Sequence, residues 1–326
     1  MSRNICVCLE FLTEPRRRKI RNTAEPLGFS VRFFSLEEAA AAKDYLPACE
    51  VLYAHSPELL RAAPASLKWY CCSFAGVEPY CQNDGIFANP ECLLSNASGA
   101  YGVTMAEHLL MVVLMLLRRM PEYEQRIRSR DWWSGHLPVR SLAGSSVTVL
   151  GTGNVGTTFA QKAKALGASR VIGISRSGQA REAVYDQMFP LSRLEQVLPQ
   201  TEILAMALPG TAETAGVMSR SRIALLPETA VLANVGRGSA LDQAALMEAL
   251  HAGKLAGAAL DVVDPEPLPP DHPLWNTPHL ILTPHISGNM TLEYTCDTAV
   301  DIFCEDLKSY AAGRPLRHLV DRQRGY

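Results

Sequence analysis

The sequence predicts an α/β protein built on doubly wound parallel sheets, and three observations carry that expectation. Short apolar runs alternate with helix-like segments along both halves of the chain, as strands joined by crossover helices do. A glycine turn separates an apolar run from a helix in Ser146–Gly156, SVTVLGTGNVG. The length, 326 residues, is enough for two buried cores and suggests two domains.

The glycine turn organises the rest. Val147–Leu150 reads as a buried strand and Val155–Leu166 as the helix that follows. Gly151, Gly153 and Gly156 fall at G-x-G-x-x-G spacing. The first glycine allows a tight turn, the second a close backbone approach to a pyrophosphate, and the third close packing of helix on strand. The helix start adds unpaired N–H groups and a positive dipole end. Spacing alone is a weak signal; the strand before and the helix after make it a dinucleotide site. The candidate contacts are Gly151, Gly153, Asn154, Val155 and Gly156.

From the N-terminus, Ile5–Leu9, Val31–Phe34, Val51–Ala54 and Trp69–Phe74 read as strands, with helical Pro15–Leu27, Leu36–Lys43 and Pro57–Ala63 between them. Parallel sheets bind ligands beyond the carboxyl ends of their strands, which singles out the loops after Ala54 and Ser73. In the second, the glycine of Ala75-Gly76-Val77 either frees N–H groups for a small anion or makes a simple turn. Tyr53 and His55, at the end of the third strand, are ligand contacts or structural residues. NASGAYGVTMAEHLLMVVLMLLRRM comes next. Thr104 and Glu107 have capping-box spacing ahead of a helix apolar almost all round, which suits burial between domains or subunits. Trp132 and Trp133 stand in a polar stretch, as a pocket cap, an interface or core anchors.

Past the glycine turn, Val171–Ile174, Ile203–Ala207, Val231–Asn234, Ala256–Leu260 and Leu280–Leu282 are strand candidates, with helical Leu191–Leu198, Arg220–Leu225 and Gln243–Ala252 among them. With Val147–Leu150 they match the six-stranded dinucleotide-binding layout. Thr291–Ala312 reads as an amphipathic helix stopped by Gly313 and Pro315.

Composition excludes several functions. A net charge of -2 leaves no footprint for nucleic acid. The basic run Arg16-Arg17-Arg18-Lys19 reads as a solvated helix face rather than a phosphate patch. Glu10 interrupts the apolar N-terminal segment, so no signal peptide is expected, and Leu109–Leu117 is too short to span a bilayer. The nine cysteines include no C-x-x-C pair and no metal-ligand spacing. No metal is expected, and reduced thiols in the core of a cytoplasmic protein fit better.

NAD-binding versions of this turn usually place Asp or Glu about 20 residues beyond the glycines, on the ribose 2′-OH. Here the next strand ends Ile174-Ser175-Arg176-Ser177, with no acid at its tip. An arginine between two hydroxyls suits a 2′-phosphate, so NADP is the expected cofactor and NAD the alternative. Three more polar residues follow strands: Arg237 in NVGRG, Glu266 in DPEP and His285 in TPHISG. Each has a structural explanation singly. All three at strand ends of a dinucleotide domain point to chemistry.

These segments resemble the D-isomer-specific 2-hydroxyacid dehydrogenase family over nearly the whole chain. GTGNVG, NVGRGS, ALDVVDPEPLP, LTPHISG and NASGAYGVTMAEH occur in that family's order and spacing. The resemblance implies a flavodoxin-like substrate-binding domain over 1–99, completed by a C-terminal helix returning over 289–326. A Rossmann dinucleotide-binding domain over 100–288 is inserted between them, and a homodimer is built around the cofactor domains. It further implies that Arg237 binds the substrate's carboxylate and keto oxygen. His285 is then the acid when a 2-keto acid is reduced and the base in reverse, and Glu266 holds and polarises it. Hydride arriving at C2 leaves charge on oxygen, so a proton donor and a guanidinium both fit there. A carboxylate beside an imidazole favours its proton-carrying form.

By the same resemblance Ala75, Gly76 and Val77 match the carboxylate-binding loop, and Asp261 the position that orients the nicotinamide amide. Leu208, Pro209 and Thr214 match the adenine and phosphate side, and Asn234, Val235, Gly236 and Thr104 complete the cofactor contacts. Glu266 argues against formate, whose dehydrogenases in this family carry Gln there. Ser175-Arg176-Ser177 resembles the NADPH-using glyoxylate/hydroxypyruvate reductase branch. The expected reaction is hydride transfer between NAD(P)H and the C2 keto group of a small 2-keto acid, giving the D-2-hydroxy acid. The alternatives are a 3-phosphoglycerate dehydrogenase without a regulatory domain, a nucleotide-sensing scaffold like the family's co-repressors, and a dehydrogenase for amino substrates on a related fold.

Overall fold

The computed structural model describes residues 3–81, 85–133, 135–179 and 182–325. The chain divides into two units, Met1–Tyr101 with Met290–Tyr326, and Gly102–Asn289. Each carries its own parallel sheet.

In the first unit, β1 (Arg3–Cys8), β2 (Phe29–Phe34), β3 (Val51–Ala54), β4 (Trp69–Cys72) and β5 (Leu93–Ser95) pair in the order β2-β1-β3-β4-β5. This is the flavodoxin-like order. Alternating residues face two apolar layers. Cys6, Cys8, Leu52, Tyr70 and Cys72 enter one. Ile5, Val7, Tyr53 and Trp69 enter the other, with Ile20 of the helix Glu14–Ala24 and Val300, Phe303 and Leu307 of the C-terminal helix Glu293–Ala311. Phe303 stacks on Tyr53 and Trp69, with ring centroids 4.3 and 5.4 Å away. Truncating such a ring costs about 3–5 kcal/mol, so the chain's last helix is an integral part of this core.

The basic run is the solvated face expected of it at Arg18 and Lys19, which are exposed, but not at Arg16. Arg16 is 4% exposed, bonded to Asp297, Glu293 and the Phe11 carbonyl, and Lys19 pairs with Asp301. Carboxylates at four-residue spacing on the C-terminal helix meet it, one helix turn apart. All nine cysteines are free and all but Cys81 are buried. Burial pushes the Cys72 thiol up to about 12 and Cys71 well above its usual value, so both serve as small core hydrophobes.

In the second unit, β6 (Ser146–Leu150), β7 (Arg170–Ser175), β8 (Gln187–Pro190), β9 (Ile203–Met206), β10 (Val231–Asn234), β11 (Gly257–Leu260) and β12 (Leu280–Leu282) form the sheet β12-β11-β10-β9-β6-β7-β8. Counted from β6 this is the Rossmann order with a seventh strand added beyond the sixth. The extra strand relative to the sequence reading is β8, a partly exposed edge strand ending in Pro190, which an edge tolerates.

The helix Gly102–Leu117 begins ahead of Thr104, so the expected capping box does not form. Thr104 lies inside the first turn and donates its hydroxyl to the Ser287 carbonyl at 3.4 Å, while Glu107 pairs with Lys162 at 3.0 Å. Ala106, Leu109, Val113 and Leu116 pack on Val147, Val149 and Val231 of the sheet and on Phe159. The opposite side leaves Met111 and Leu114 at 47% and 37% exposure, so burial all round is not seen within this chain. Among the described residues no helix is long and apolar enough to cross a membrane.

Candidate active site

The glycine turn after β6 has a distinct steric reason at each position. Gly151 has φ +101°, and a Cβ there would lie 2.6 Å from the Ala207 carbonyl oxygen. A Cβ on Gly156 would lie 2.0 Å from the Gly151 oxygen, so helix and turn touch backbone to backbone. A Cβ on Gly153 would meet no heavy atom within 4 Å beyond its chain neighbours, which leaves open space over the start of the helix Asn154–Ala165. The N–H groups of Asn154, Val155 and Gly156 have no acceptor among the described residues. Open space beside unpaired donors is what a pyrophosphate requires, so these residues fit a dinucleotide.

At the tip of β7, Ser175 Oγ accepts from the Gly178 N–H at 3.0 Å and Ser177 Oγ from Gln179 at 3.3 Å. The serines thereby fold the tip while Arg176 is exposed, with no carboxylate at the strand end. After β9, Thr214 Oγ1 donates to the Pro209 carbonyl at 2.6 Å and accepts from Thr211 N–H at 3.0 Å, closing the loop that begins at Leu208.

The three chemistry candidates follow the adjacent strands β10, β11 and β12. Asn234, 1% exposed, donates Nδ2–H to the Arg237 carbonyl at 2.9 Å and accepts the Gly236 N–H at 3.0 Å, which sets the turn carrying Arg237. Gly236 packs on the Leu208 backbone and Gly238 on Val263, where added Cβ atoms would lie 2.6 and 2.1 Å away. Val263 donates its N–H to Glu266 Oε1 at 2.9 Å, and Glu266 Oε2 lies 2.7 Å from His285 Nδ1. Glu266 and His285 are thus paired, and the contact of Gly238 with Val263 packs the turn that carries Arg237 against the segment that anchors Glu266.

His285 has φ +52°, a left-handed conformation that few non-glycine residues adopt. Asp261 imposes it. The Asp261 carbonyl accepts the His285 N–H at 2.9 Å, Oδ1 accepts Thr283 Oγ1–H at 2.6 Å and Ile286 N–H at 2.9 Å, and Oδ2 accepts Ser287 N–H at 3.0 Å. Burial works to raise the Asp261 carboxyl, but the bonds from Ser287, Thr283 and Ile286 outweigh it and hold the group below its ordinary value. The side chain expected on the nicotinamide amide is fully buried here, turned into the loop that carries His285. Sequence reasoning missed the next layer. His108 Nε2 lies 3.2 Å from Thr283 Oγ1, and burial lowers the His108 pKa although Asp261 opposes it. Its one signal is spacing: Thr104 and His108, four apart on one helix, both reach the segment 283–287.

In the first unit, Asn96 Nδ2–H donates to the Ala75 carbonyl at 2.7 Å. The trans peptide plane then points the Gly76 N–H the opposite way. The N–H groups of Ala75, Gly76 and Val77 have no partner among the described residues. Tyr53 is wholly buried, its hydroxyl donating to the Ala299 carbonyl at 3.1 Å, and is structural. His55 is exposed. In the second unit, Trp132 is 98% exposed and anchors no core, whereas Trp133 lies under the Arg126 guanidinium at 4.3 Å.

Residues 110–287 match the family model described as D-isomer specific 2-hydroxyacid dehydrogenase, NAD binding domain. The chain is 34% identical over 237 residues to a glyoxylate reductase of Aeropyrum pernix, spanning 71% of this chain and 70% of that protein. It is 30% identical over 236 residues to a D-3-phosphoglycerate dehydrogenase of Archaeoglobus fulgidus, spanning 69% of this chain but 42% of that longer protein. Among solved structures it resembles an NADPH-dependent glyoxylate/hydroxypyruvate reductase from Sinorhizobium meliloti in complex with NADP and sulfate. The TM-score is 0.82 at 26% identity, covering 99% of this chain and all of that one. With the family model matching more than half of its length, this chain belongs to the D-isomer-specific 2-hydroxyacid dehydrogenase family.

Proposed function

We propose that this protein reduces the C2 keto group of a small 2-keto acid, of the glyoxylate or hydroxypyruvate type, to the D-2-hydroxy acid with NADPH. The observation that carries the reading is the His285–Glu266 pair at 2.7 Å, whose carboxylate is itself anchored by Val263 N–H. With Nδ1 facing a carboxylate, the opposite ring edge, Nε2, is the one left to hand a proton to a keto oxygen. Arg237 supplies fixed positive charge for the oxygen and the carboxylate. The N–H groups of Ala75, Gly76 and Val77, unpaired among the described residues, suit the carboxylate as well. Bound nicotinamide supplies the hydride. Gly151, Gly153, Asn154, Val155 and Gly156 hold its pyrophosphate, while Leu208, Pro209, Thr214, Asn234, Val235, Gly236 and Thr104 line the rest of its site. Asp261 keeps the His285 loop in register beside the ring.

Arg176 between two serines, without an acid, favours NADPH, and the Sinorhizobium meliloti relative is described as NADPH-dependent. We infer a homodimer as well, because Met111, Leu114, Ile127 and Trp132 are exposed apolar residues of one stretch. The deciding experiment follows NADPH and NADH oxidation with glyoxylate, hydroxypyruvate, pyruvate, phosphohydroxypyruvate and bulkier 2-keto acids. Fastest turnover of glyoxylate or hydroxypyruvate with NADPH is expected. Preference for phosphohydroxypyruvate overturns the substrate reading. Tight NADPH binding with no turnover of any acid favours a nucleotide-sensing scaffold instead.

A further inference from the structure

His55 follows β3 in the first unit, at the carboxyl end of the sheet, and its ring packs on Phe74 with centroids 4.1 Å apart. Phe74 immediately precedes Ala75-Gly76-Val77. The imidazole is exposed on one side, but its Nδ1 edge is turned inward, 3.4 Å from the Tyr80 hydroxyl and 3.5 Å from Cys72 Sγ. Burial pushes both of those groups up, Cys72 to about 12, so each keeps its hydrogen at neutral pH. Tyr80 OH lies 3.0 Å from Tyr70 OH. Nδ1 is the strongest acceptor within reach of these hydrogens, which assigns the proton of the neutral ring to Nε2. Desolvation also lowers the His55 pKa, so the ring is neutral under ordinary assay conditions. The result is a fixed, uncharged N–H donor on the edge opposite Nδ1, beside a loop whose N–H groups are unpaired among the described residues.

We propose that His55 is a specificity-determining contact that donates Nε2–H to a hydroxyl on C3 of the substrate, so that the protein takes 2-keto acids hydroxylated at C3 ahead of their deoxy counterparts. The proposal rests on the reading that Ala75, Gly76 and Val77 hold the substrate carboxylate. In a three-carbon acid C3 is two bonds from the carboxylate carbon, so a donor beside the loop reaches its substituent. A neutral donor suits a hydroxyl, whereas a cation there would compete for the carboxylate.

Three substrates separate the effects. Glyoxylate has no C3, pyruvate has a bare C3 and hydroxypyruvate has the hydroxyl. kcat/KM with NADPH is measured on each for the wild type, His55→Leu and His55→Gln; the glutamine keeps an amide donor near the Nε2 position. The wild type is expected to favour hydroxypyruvate over pyruvate by about tenfold or more, the size of one directed hydrogen bond. His55→Leu should erase that preference and lower hydroxypyruvate turnover by a similar factor, with glyoxylate changed less than about twofold. His55→Gln should retain most of the preference. An active His55→Leu enzyme whose hydroxypyruvate-to-glyoxylate ratio matches the wild type overturns the proposal alone, as does an equal loss on both substrates. A wild type that turns over none of the three overturns the reductase reading and the proposal with it.

Discussion

The glycine turn allows stability and binding to be separated by two substitutions three residues apart. In Gly156→Ala the new Cβ starts 2.0 Å from the Gly151 oxygen and 2.8 Å from Val149 Cγ1. The obstacle is largely backbone, so the helix start must retreat by about 1 Å, an overpacking cost of about 1–3 kcal/mol. For a unit of this size each kcal/mol lowers Tm by about 2–4 °C. In Gly153→Ala the Cβ meets no protein atom within 4 Å, and the helix N-cap's preference for Gly over Ala costs about 1 kcal/mol or less. The same methyl group stands where a pyrophosphate would approach, so NADPH affinity should fall by about tenfold or more, or about 1.4 kcal/mol. Thermal unfolding and fluorescence titration with NADPH measure the two quantities. Gly156→Ala should unfold earlier; Gly153→Ala should melt near the wild type yet bind poorly. A Gly153→Ala protein that binds NADPH as tightly as the wild type refutes the assignment of that open space to the dinucleotide.

Three further outcomes are expected. Arg176→Ala should lower kcat/KM for NADPH by about 10- to 100-fold, the range of one lost charge-assisted bond, and leave NADH nearly untouched; equal losses with both coenzymes would remove Arg176 from the 2′-phosphate. His108 has a pKa lowered by burial from 6.5, so below that pH the unfolded chain binds more protons and stability falls. His108→Gln keeps a donor for Thr283 without titrating, and its Tm should drop less than the wild type's between about pH 7.5 and 5.5, although His55, lowered the same way, still contributes. An unchanged drop contradicts the buried neutral ring. Leu114→Glu places a charge on the exposed apolar face of its helix and should shift sedimentation from dimer to monomer; a wild type that sediments as a monomer rules out the dimer.

Where strand and helix depend on local pattern, the sequence was legible. β3, β10 and β12 are short apolar runs bounded by polar or turn residues, and their limits coincide with the reading. β5 and β8 carry no such run: β5 has only two apolar residues, and β8 is a partly exposed edge strand. The three glycine roles could be read in advance because spacing encodes them. The fate of Arg16 could not, since its carboxylate partners lie on the last helix of the chain. Thr104 and Glu107 had the right spacing for a cap, but the helix starts two residues earlier, which spacing cannot reveal. Arg237, Glu266 and His285 were legible as strand-end residues. The supports that fix them were not: the Gly238–Val263 contact and the His108–Thr283–Asp261 relay join segments far apart in the chain.

Proton delivery from His285 is the step on which the functional account depends. The direct measurement is NADPH oxidation by His285→Ala at saturating glyoxylate, with NADPH binding checked by fluorescence on the same preparation. Turnover should fall by about 10²- to 10⁴-fold, the usual contribution of a positioned general acid, while coenzyme affinity stays at the wild-type value. Turnover equal to the wild type in a variant that binds NADPH normally would contradict the account.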